Sequence, residues 1–238
     1  MTDFHTHCLP GIDDGAADLD EALALLEDTV RQGIHTVATT PHFYLGQQTV
    51  PEFLARRDAA LATLETALHE QPEFASLRLL TGAEVLLREG VSRVDLRPLC
   101  LQGTDILLVE LPFMTAPYWL TDELEEIAFG QRLTVMLAHV NRYRTWYSAK
   151  EIRNLLELPD VIVQINGEAF ADGAKYRHLR HWLPEPERLV FGSDMHHPHR
   201  RPQNLQAAEN RMGRDRTGRV WLELAAACER EILNSAEF

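Results

Sequence analysis

The chain has 238 residues, 45% of them hydrophobic, and a formal net charge of −13 at pH 7. This length and apolar content allow one sizeable core, so we expect a single globular domain over residues 1–238, and the negative charge argues against a nucleic-acid partner. No apolar run reaches the roughly 20 residues of a membrane-spanning helix, and a candidate ligand at position 5 leaves no room for a signal peptide, so we expect a cytoplasmic protein.

Short apolar segments alternate with helical patterns along the chain. A strand at Phe4–His7 precedes a helix from Leu19 to Gln32, for which Asp18 is the expected N-cap and Gly33 the end. A second helix is predicted from Pro51 to about Glu70. The other predicted strands are His35–Thr40, Leu77–Glu84, Ile106–Leu111, Thr134–Ala138, Val161–Asn166 and Leu189–Ser193, and a last helix runs from Val220 to about Asn234.

This alternation predicts an α/β fold class. The later strands are rich in Val, Ile and Leu, as is typical of parallel strands buried on both faces. About seven parallel strands with helices between them favour a distorted TIM-like β/α barrel. An open doubly wound sheet is the alternative, although the chain lacks the glycine fingerprint G-x-G-x-x-G.

Imidazole and carboxylate side chains recur where the predicted strands end. His5 and His7 form an H-x-H pair whose rings share one face of an extended strand. The carboxyl ends of barrel strands converge at one mouth, so groups remote in sequence are expected to meet there and bind metal. The candidate ligands found in this way are His5, His7, His42, Glu84, Glu110, His139, Asp194 and His196.

The order and spacing of several motifs along the chain resemble those of a known family. The motifs are Asp3-Phe4-His5-Thr6-His7 with Leu9-Pro10-Gly11-Ile12-Asp13-Asp14-Gly15, Thr40-Pro41-His42, Gly82-Ala83-Glu84, Glu110-Leu111-Pro112, Ala138-His139-Val140-Asn141-Arg142-Tyr143 and Ser193-Asp194-Met195-His196. Over nearly its whole length the chain resembles the polymerase-and-histidinol-phosphatase (PHP) superfamily. Within it, the chain is most similar to the bacterial metal-dependent protein-tyrosine phosphatases of capsular and exopolysaccharide gene clusters.

The resemblance implies a centre of three divalent metal ions. The expected ligands are His5, His7, Glu84 and Asp194 for one ion, Glu84, Glu110 and His139 for a second, and Asp14, His42 and His196 for the third. Asp13 is the alternative to Asp14 in this set. We expect manganese, while iron, zinc and magnesium are also compatible with mixed imidazole and carboxylate ligands.

The resemblance also implies a phosphate-binding pair, Arg142 and Arg201, as catalytic and substrate-binding residues, with Arg200 as the alternative to Arg201. The expected substrate is phosphotyrosine on a protein, namely the tyrosine-rich tail of a polysaccharide-synthesis tyrosine kinase. The turn at residues 166–169 and Asn141 depart from the family pattern, which weakens the substrate prediction but not the metal prediction. A homo-oligomer is compatible with the sequence.

Elementary chemistry supports a phosphatase with metal-bridged hydroxide as nucleophile. Three divalent ions outweigh four ligand carboxylates by about two positive charges, to which the arginines add, and water bridging two ions loses its proton near neutral pH. A cysteine phosphatase needs an arginine six residues after its nucleophile, and none of Cys8, Cys100 and Cys228 has one. These scattered thiols are expected to stay reduced.

Three other functions remain open at this point. A small-molecule phosphatase resembling histidinol-phosphate phosphatase would use the same centre, and a regulator could bind a phosphorylated tail without turnover. An amidohydrolase also begins with H-x-H, but it usually needs a carbamylated lysine, and the two lysines of this chain are hard to place. The aromatic side chains expected at the mouth, as candidates to receive a phosphotyrosine ring, are Phe43, Tyr44, Tyr118 and Trp119.

Overall fold

The computed structural model describes residues 1–158, 160–171, 173–183 and 185–235, and it has a mixed α/β architecture. In these residues the strands are β1 (Thr2–Thr6), β2 (Thr36–Thr39), β3 (His42–Phe43), β4 (Arg78–Thr81), β5 (Glu84–Leu86), β6 (Ile106–Glu110), β7 (Thr134–Leu137), β8 (Ile162–Asn166) and β9 (Leu189–Gly192). The α-helices are α1 (Leu19–Arg31), α2 (Val50–His69), α3 (Leu120–Glu125), α4 (Ala149–Leu155), α5 (Gly173–Trp182), α6 (Leu205–Met212) and α7 (Arg216–Ser235).

The strands form two sheets in which the described ladders are all parallel. One sheet has the order β1-β2-β4 and the other β3-β5-β6-β7-β8-β9. The first sheet meets the end of the second where β1 passes β9, because the Asp194 N–H donates to the His5 carbonyl (2.8 Å) and the His7 N–H to the Met195 carbonyl (3.0 Å). The parallel α/β prediction is therefore confirmed.

The helix boundaries follow from their caps. Asp18 accepts a hydrogen bond from the Glu21 N–H at the start of α1, and Thr49 with Glu52 forms a capping box at the start of α2. Both helices end one residue before the predicted positions. The last helix, α7, begins four residues before the predicted Val220 because Asp215 accepts from the Gly218 N–H and extends the first turn.

The strand count differs from the prediction because one predicted strand is interrupted and one short strand, β3, lies beyond the predicted strand His35–Thr40. After β2 the ladder stops at Thr40 and Pro41, since proline has no N–H to donate, and it resumes as β3. The predicted strand Leu77–Glu84 is interrupted beside this point, at Gly82 and Ala83. Nine strands are therefore found in the described residues, where about seven were predicted. At these breaks the Glu84 N–H donates to the Pro41 carbonyl (3.0 Å), which keeps the two interruptions side by side.

The two faces of the strands pack differently, and this places the polar groups. One face contributes to a smaller apolar cluster, the strand cluster, to which Cys228 and Ile232 of α7 also belong, and the other face packs against the helices. Along β6, Ile106 and Leu108 lie in the strand cluster, and the two-residue period brings Glu110 next on the same face. The strand cluster consists of Phe4, Ala38, Leu80, Leu101, Ile106, Leu108, Met136, Ala138, Ile162, Val190, Cys228 and Ile232.

The helices of the described ranges contain no stretch long and apolar enough to cross a membrane. All three cysteines are free thiols and buried.

We expect Gly192→Ala to destabilise the protein because β1 approaches β9 closely at this point. A Cβ atom on Gly192 would lie 2.6 Å from the His5 Cβ and 2.7 Å from Gln164 Nε2, which forces the strands apart. Overpacking of this kind costs about 1–3 kcal/mol, measurable as the free energy of unfolding by chemical denaturation. Gly213→Ala is the matched control, since its nearest atom is 3.5 Å away. Equal stability of the two variants would contradict this packing.

Candidate metal centre

The Glu84 carboxylate lies at the middle of a cluster of imidazoles. Glu84 is 1% exposed and begins β5, where the interrupted ladder turns its side chain toward the ends of the neighbouring strands. Four histidine nitrogens lie within 3.2 Å of its oxygens: His5 Nε2 (3.2 Å), His7 Nε2 (3.2 Å), His42 Nδ1 (3.0 Å) and His139 Nε2 (2.8 Å). The chain thus brings together side chains from β3 and β5, from the end of β1, and from the turn after β7.

All nine side chains predicted as metal ligands lie in or beside this cluster. Within the described residues, three sets have ligand atoms within 4.8 Å of one another, namely His5, His7 and Glu84; His42, Glu84 and Glu110; and His7, Asp14, His42 and His196. These sets differ from the predicted partition in three respects: Asp194 is absent from the first, His42 replaces His139 in the second, and His7 joins the third. His139 Nε2 nevertheless lies 3.3 Å from Glu110 Oε1.

The two neighbouring aspartates, Asp13 and Asp14, have different positions. Asp14 Oδ1 lies 3.3 Å from His42 Nε2 and 3.5 Å from His196 Nε2, so its carboxylate faces the cluster. Asp13 Oδ2 instead contacts His7 Nδ1 (2.7 Å) and accepts from the His42 N–H (2.9 Å). Asp13 therefore stands behind the cluster and fixes the orientation of the His7 ring, as carboxylates behind metal-binding histidines do.

Asp194 connects the imidazoles to the two predicted arginines. Its Oδ2 contacts Arg142 Nη1 (2.6 Å) and Arg201 Nη2 (2.5 Å), and it accepts from Asn166 Nδ2 (2.8 Å). Its Oδ1 faces His5 (3.7 Å), His7 (3.5 Å) and His196 (3.4 Å). The neighbouring Arg200 is exposed and contacts His197 through its backbone N–H, so Arg201 is the arginine whose guanidinium reaches the cluster.

Two residues of the cluster have a left-handed backbone. His139 (φ 31°) follows β7 and Asp194 (φ 53°) follows β9. Non-glycine residues adopt this conformation at a cost, and such residues are enriched at functional sites. At both strand ends the turn directs the side chain into the cluster.

A polar layer that the sequence analysis missed lies beneath the imidazoles. Gln164 Oε1 accepts from the His139 N–H (2.6 Å) and contacts His5 Nδ1 (3.0 Å), while its Nε2 donates to Asn166 Oδ1 (2.9 Å). The buried Asp3 accepts from the Ser193 N–H (2.8 Å) and so ties β1 to the Asp194 turn. The available sequence signal was the two-residue period of β8, which places two amide side chains on the face of Ile162.

The carboxylates and imidazoles of the cluster shift one another's pKa values. Burial alone raises the pKa of Glu84, but the charge of His5 and hydrogen bonds from neighbouring imidazoles hold that pKa well below the usual range of a glutamate. Burial lowers the pKa of His7, yet the Asp13 carboxylate beside it raises that pKa to about 9. Burial likewise lowers the pKa of His42, and neighbouring carboxylates raise it to about 11. In this arrangement protons and metal cations compete for the same lone pairs.

The donor set fits divalent metal ions. Glu84 Oε2, His42 Nδ1 and His196 Nε2 are buried and lack a hydrogen-bond partner in the described part of the chain, although other polar atoms surround them. Buried polar atoms without partners are costly and uncommon. Convergent imidazole nitrogens and carboxylate oxygens with free lone pairs are what manganese, iron or zinc binds.

The four aromatic residues predicted at the mouth differ in exposure and in contacts. Phe43 is buried and packs against Phe53 with ring centroids 5.4 Å apart, so it belongs to the core and cannot receive a substrate ring. Tyr44 stacks on His42 (5.1 Å, 21°). Tyr118 is 85% exposed and donates a hydrogen bond to Glu89, whereas Trp119 packs partly buried against the core.

Comparisons with known proteins find a family that matches nearly the whole chain. A sequence profile described as "Capsular polysaccharide synthesis, CpsB/CapC" matches residues 1–233. The chain is 25% identical over 240 residues to the tyrosine-protein phosphatase CpsB of Streptococcus agalactiae serotype III (strain NEM316), covering 94% of this chain and 96% of that protein. It is 32% identical over 147 residues to the tyrosine-protein phosphatase YwqE of Bacillus subtilis (strain 168), covering 60% of this chain and 56% of that protein.

A solved structure shares the fold. It belongs to a study described as "Crystal structures of YwqE from Bacillus subtilis and CpsB from Streptococcus pneumoniae, unique metal-dependent tyrosine phosphatases". The TM-score is 0.76 at 24% sequence identity, with 94% of this chain and 92% of that chain covered.

We expect Glu84→Gln to lower the metal content of the protein by at least one ion per chain, because Glu84 belongs to two of the three ligand sets. The measurement is elemental analysis of chelated protein that has been incubated with Mn²⁺ and desalted. Binding to the folded state also stabilises it, so the rise in Tm on adding Mn²⁺ should shrink. The exposed Glu73→Gln is the matched control, and a metal content equal to that of the control would contradict the assignment.

Proposed function

Because this chain belongs to the CpsB/CapC family of capsular polysaccharide synthesis, we propose that it hydrolyses phosphotyrosine on a protein and needs bound metal ions to do so. This agrees with the resemblance found in the sequence motifs. The observation that carries the proposal is the position of Asp194, which holds two arginines on one oxygen and faces three imidazoles with the other. This position of Asp194 supports neighbouring binding sites for cations and for phosphate.

We propose three divalent ions, with manganese as the native metal. The residues that would hold them are His5, His7, Asp14, His42, Glu84, Glu110, His139, Asp194 and His196, with Glu84 shared between two ions. When bound, such ions supply Lewis acidity and a hydroxide nucleophile at neutral pH. Asp13 stays outside this set, and its contact with His7 Nδ1 keeps the opposite nitrogen turned toward the centre.

Arg142 and Arg201 are the proposed phosphate-binding residues. Each uses one guanidinium nitrogen on Asp194 Oδ2, which leaves further N–H donors for the non-bridging oxygens of a phosphoryl group. Glu168 accepts from Arg142 Nε (2.8 Å) and holds the guanidinium plane in position. Donors fixed in advance stabilise the charge of the transferring phosphoryl group without reorganisation.

The proposed substrate is the tyrosine-rich tail of a polysaccharide-synthesis tyrosine kinase. A phosphotyrosine ester suits this site because the tyrosine phenol has a pKa of about 10 and leaves as an anion more readily than an alkoxide. The centre therefore needs little general-acid assistance, and we propose direct in-line attack on phosphorus without a covalent phosphoenzyme. The buried cysteines take no part.

We further propose that the two sheets form one distorted, nearly closed barrel in a single domain. Two residues separate β2 from β3, and two separate β4 from β5, so each pair acts as one interrupted strand and seven strand positions result. The hydrogen bonds between β1 and the turn after β9 support contact between the first and last positions. The centre then lies at the mouth formed by the carboxyl ends of the strands.

We expect chelated, desalted protein to release phosphate from a phosphotyrosyl peptide once Mn²⁺ is added. Excess chelator should abolish the release, whereas iodoacetamide should leave the rate within about twofold because the three thiols are buried. Absence of release with manganese, iron, zinc and magnesium would favour a regulator that binds the phosphorylated tail. A preference of more than tenfold for histidinol phosphate would instead favour a small-molecule phosphatase.

Adjacent arginines give a matched pair of variants for the phosphate-binding proposal. Arg201→Ala should lower kcat for a phosphotyrosyl peptide by about 10²–10³, as the loss of one donor to the transferring group does. Arg200→Ala should change kcat by less than twofold, since its guanidinium makes no contact with Asp194. Steady-state kinetics of the Mn²⁺-loaded variants measures both, and a larger loss for Arg200→Ala would overturn the assignment.

A further inference from the structure

Phe113 is a large apolar side chain that stays exposed beside the metal centre. It lies in the loop between β6 and α3, three residues after Glu110, and is 42% exposed. Its ring stacks on that of His139 with centroids 5.7 Å apart and an interplanar angle of 22°. Part of this ring therefore remains open to solvent next to a proposed metal ligand.

The loop that carries Phe113 is fixed by two buried tyrosines. The Leu111 N–H donates to the Tyr143 hydroxyl (2.8 Å), and the Tyr147 hydroxyl donates to the Pro112 carbonyl (3.0 Å). Tyr143 is fully buried and its ring packs against Phe113 at 5.6 Å. Phe113 is thus held in place on one side and open on the other, so little side-chain entropy is lost when it meets a ligand.

A second aromatic ring has the corresponding position on the other side of Glu84. Tyr44 stacks on His42 (5.1 Å, 21°), and His42 Nδ1 lies 3.0 Å from Glu84 Oε2. His139 Nε2, under Phe113, lies 2.8 Å from the other oxygen, Glu84 Oε1. Two imidazoles that contact opposite oxygens of one carboxylate are therefore each covered by an aromatic ring.

From this arrangement we infer that Phe113 and Tyr44 form an aryl-binding subsite that receives the phenyl ring of the substrate. The inference rests on the proposed phosphotyrosine hydrolysis and adds which residues distinguish an aryl from an alkyl phosphate. A phosphoryl group at the centre carries its ester substituent outward, past the rings that cover His42 and His139. Aromatic rings prefer offset or edge-to-face contact with other rings, and an alkyl chain gains less from such walls.

The test compares two phosphonates that the protein cannot hydrolyse. Phenylphosphonate and methylphosphonate share the anionic head and differ in the ring, so the ratio of their Kd values on Mn²⁺-loaded protein reports the subsite without turnover. Isothermal titration calorimetry gives both Kd values. Phe113→Ala should reduce the preference for phenylphosphonate by about three- to tenfold, as expected for one aromatic contact. Phe113→Trp should retain it.

Phe129→Ala is the matched control, because Phe129 is 61% exposed and lies before β7, at the strand end opposite to His139. This variant should keep the wild-type ratio. An equal loss of affinity for both phosphonates in Phe113→Ala would mean that Phe113 only supports His139, and it would overturn the subsite. An unchanged ratio, or wild-type protein with no preference, would also overturn it.

Phosphate release measured on the same preparations separates this inference from the proposed function. Wild-type protein that hydrolyses phosphotyrosine while Phe113→Ala keeps the full phenyl preference would refute the subsite alone. The opposite result would be a phenyl preference that is present in wild-type protein and lost in Phe113→Ala, with no phosphate released from phosphotyrosine by wild-type protein. It would refute the proposed hydrolysis alone.

Discussion

The structure depends on one buried carboxylate, Glu84, which four imidazoles surround within 3.2 Å. An ionised carboxylate that is 1% exposed is stable only with charged or hydrogen-bonding partners around it. Those partners come from β1, β3 and the turn after β7, so the strand ends must meet at this point. Bound cations would replace the protons that otherwise balance the charge of the carboxylates. Metal binding would therefore stabilise the arrangement of the strand ends.

The geometry of the cluster is set by groups that do not face it. Asp13 orients His7, and Gln164 contacts both His5 and the backbone of His139. The left-handed turn at Asp194 then points one carboxylate oxygen toward the imidazoles and the other toward the arginines. Loss of such supporting contacts typically lowers metal affinity about 10–100-fold. They also explain how short strands position side chains that are far apart in sequence.

Much of this arrangement could be predicted from the sequence because strand ends converge and metal chemistry restricts residue type. The H-x-H pair and the N-cap of the first helix are local signals that need no tertiary information, whereas Arg142 followed from the family resemblance. The period of β8 places Gln164 on the face of Ile162, but its supporting role could not be predicted, because that position does not show which histidines the amide contacts. The short strand after Pro41 and the interruption at Gly82 were missed because pairing with a neighbouring strand decides where a ladder resumes or breaks. Phe113 was missed because its contacts with His139 and Tyr143 join residues distant in sequence.

The most direct test of a shared metal centre is anomalous diffraction from crystals grown with Mn²⁺. Peaks should lie within ligand distance of Glu84 and between the imidazoles of His5, His7 and His42, on the side of Asp194 that faces away from the arginines. Crystals with full Mn²⁺ in solution and no anomalous peak at Glu84, or with peaks only at surface carboxylates, would contradict the centre on which the proposed chemistry depends.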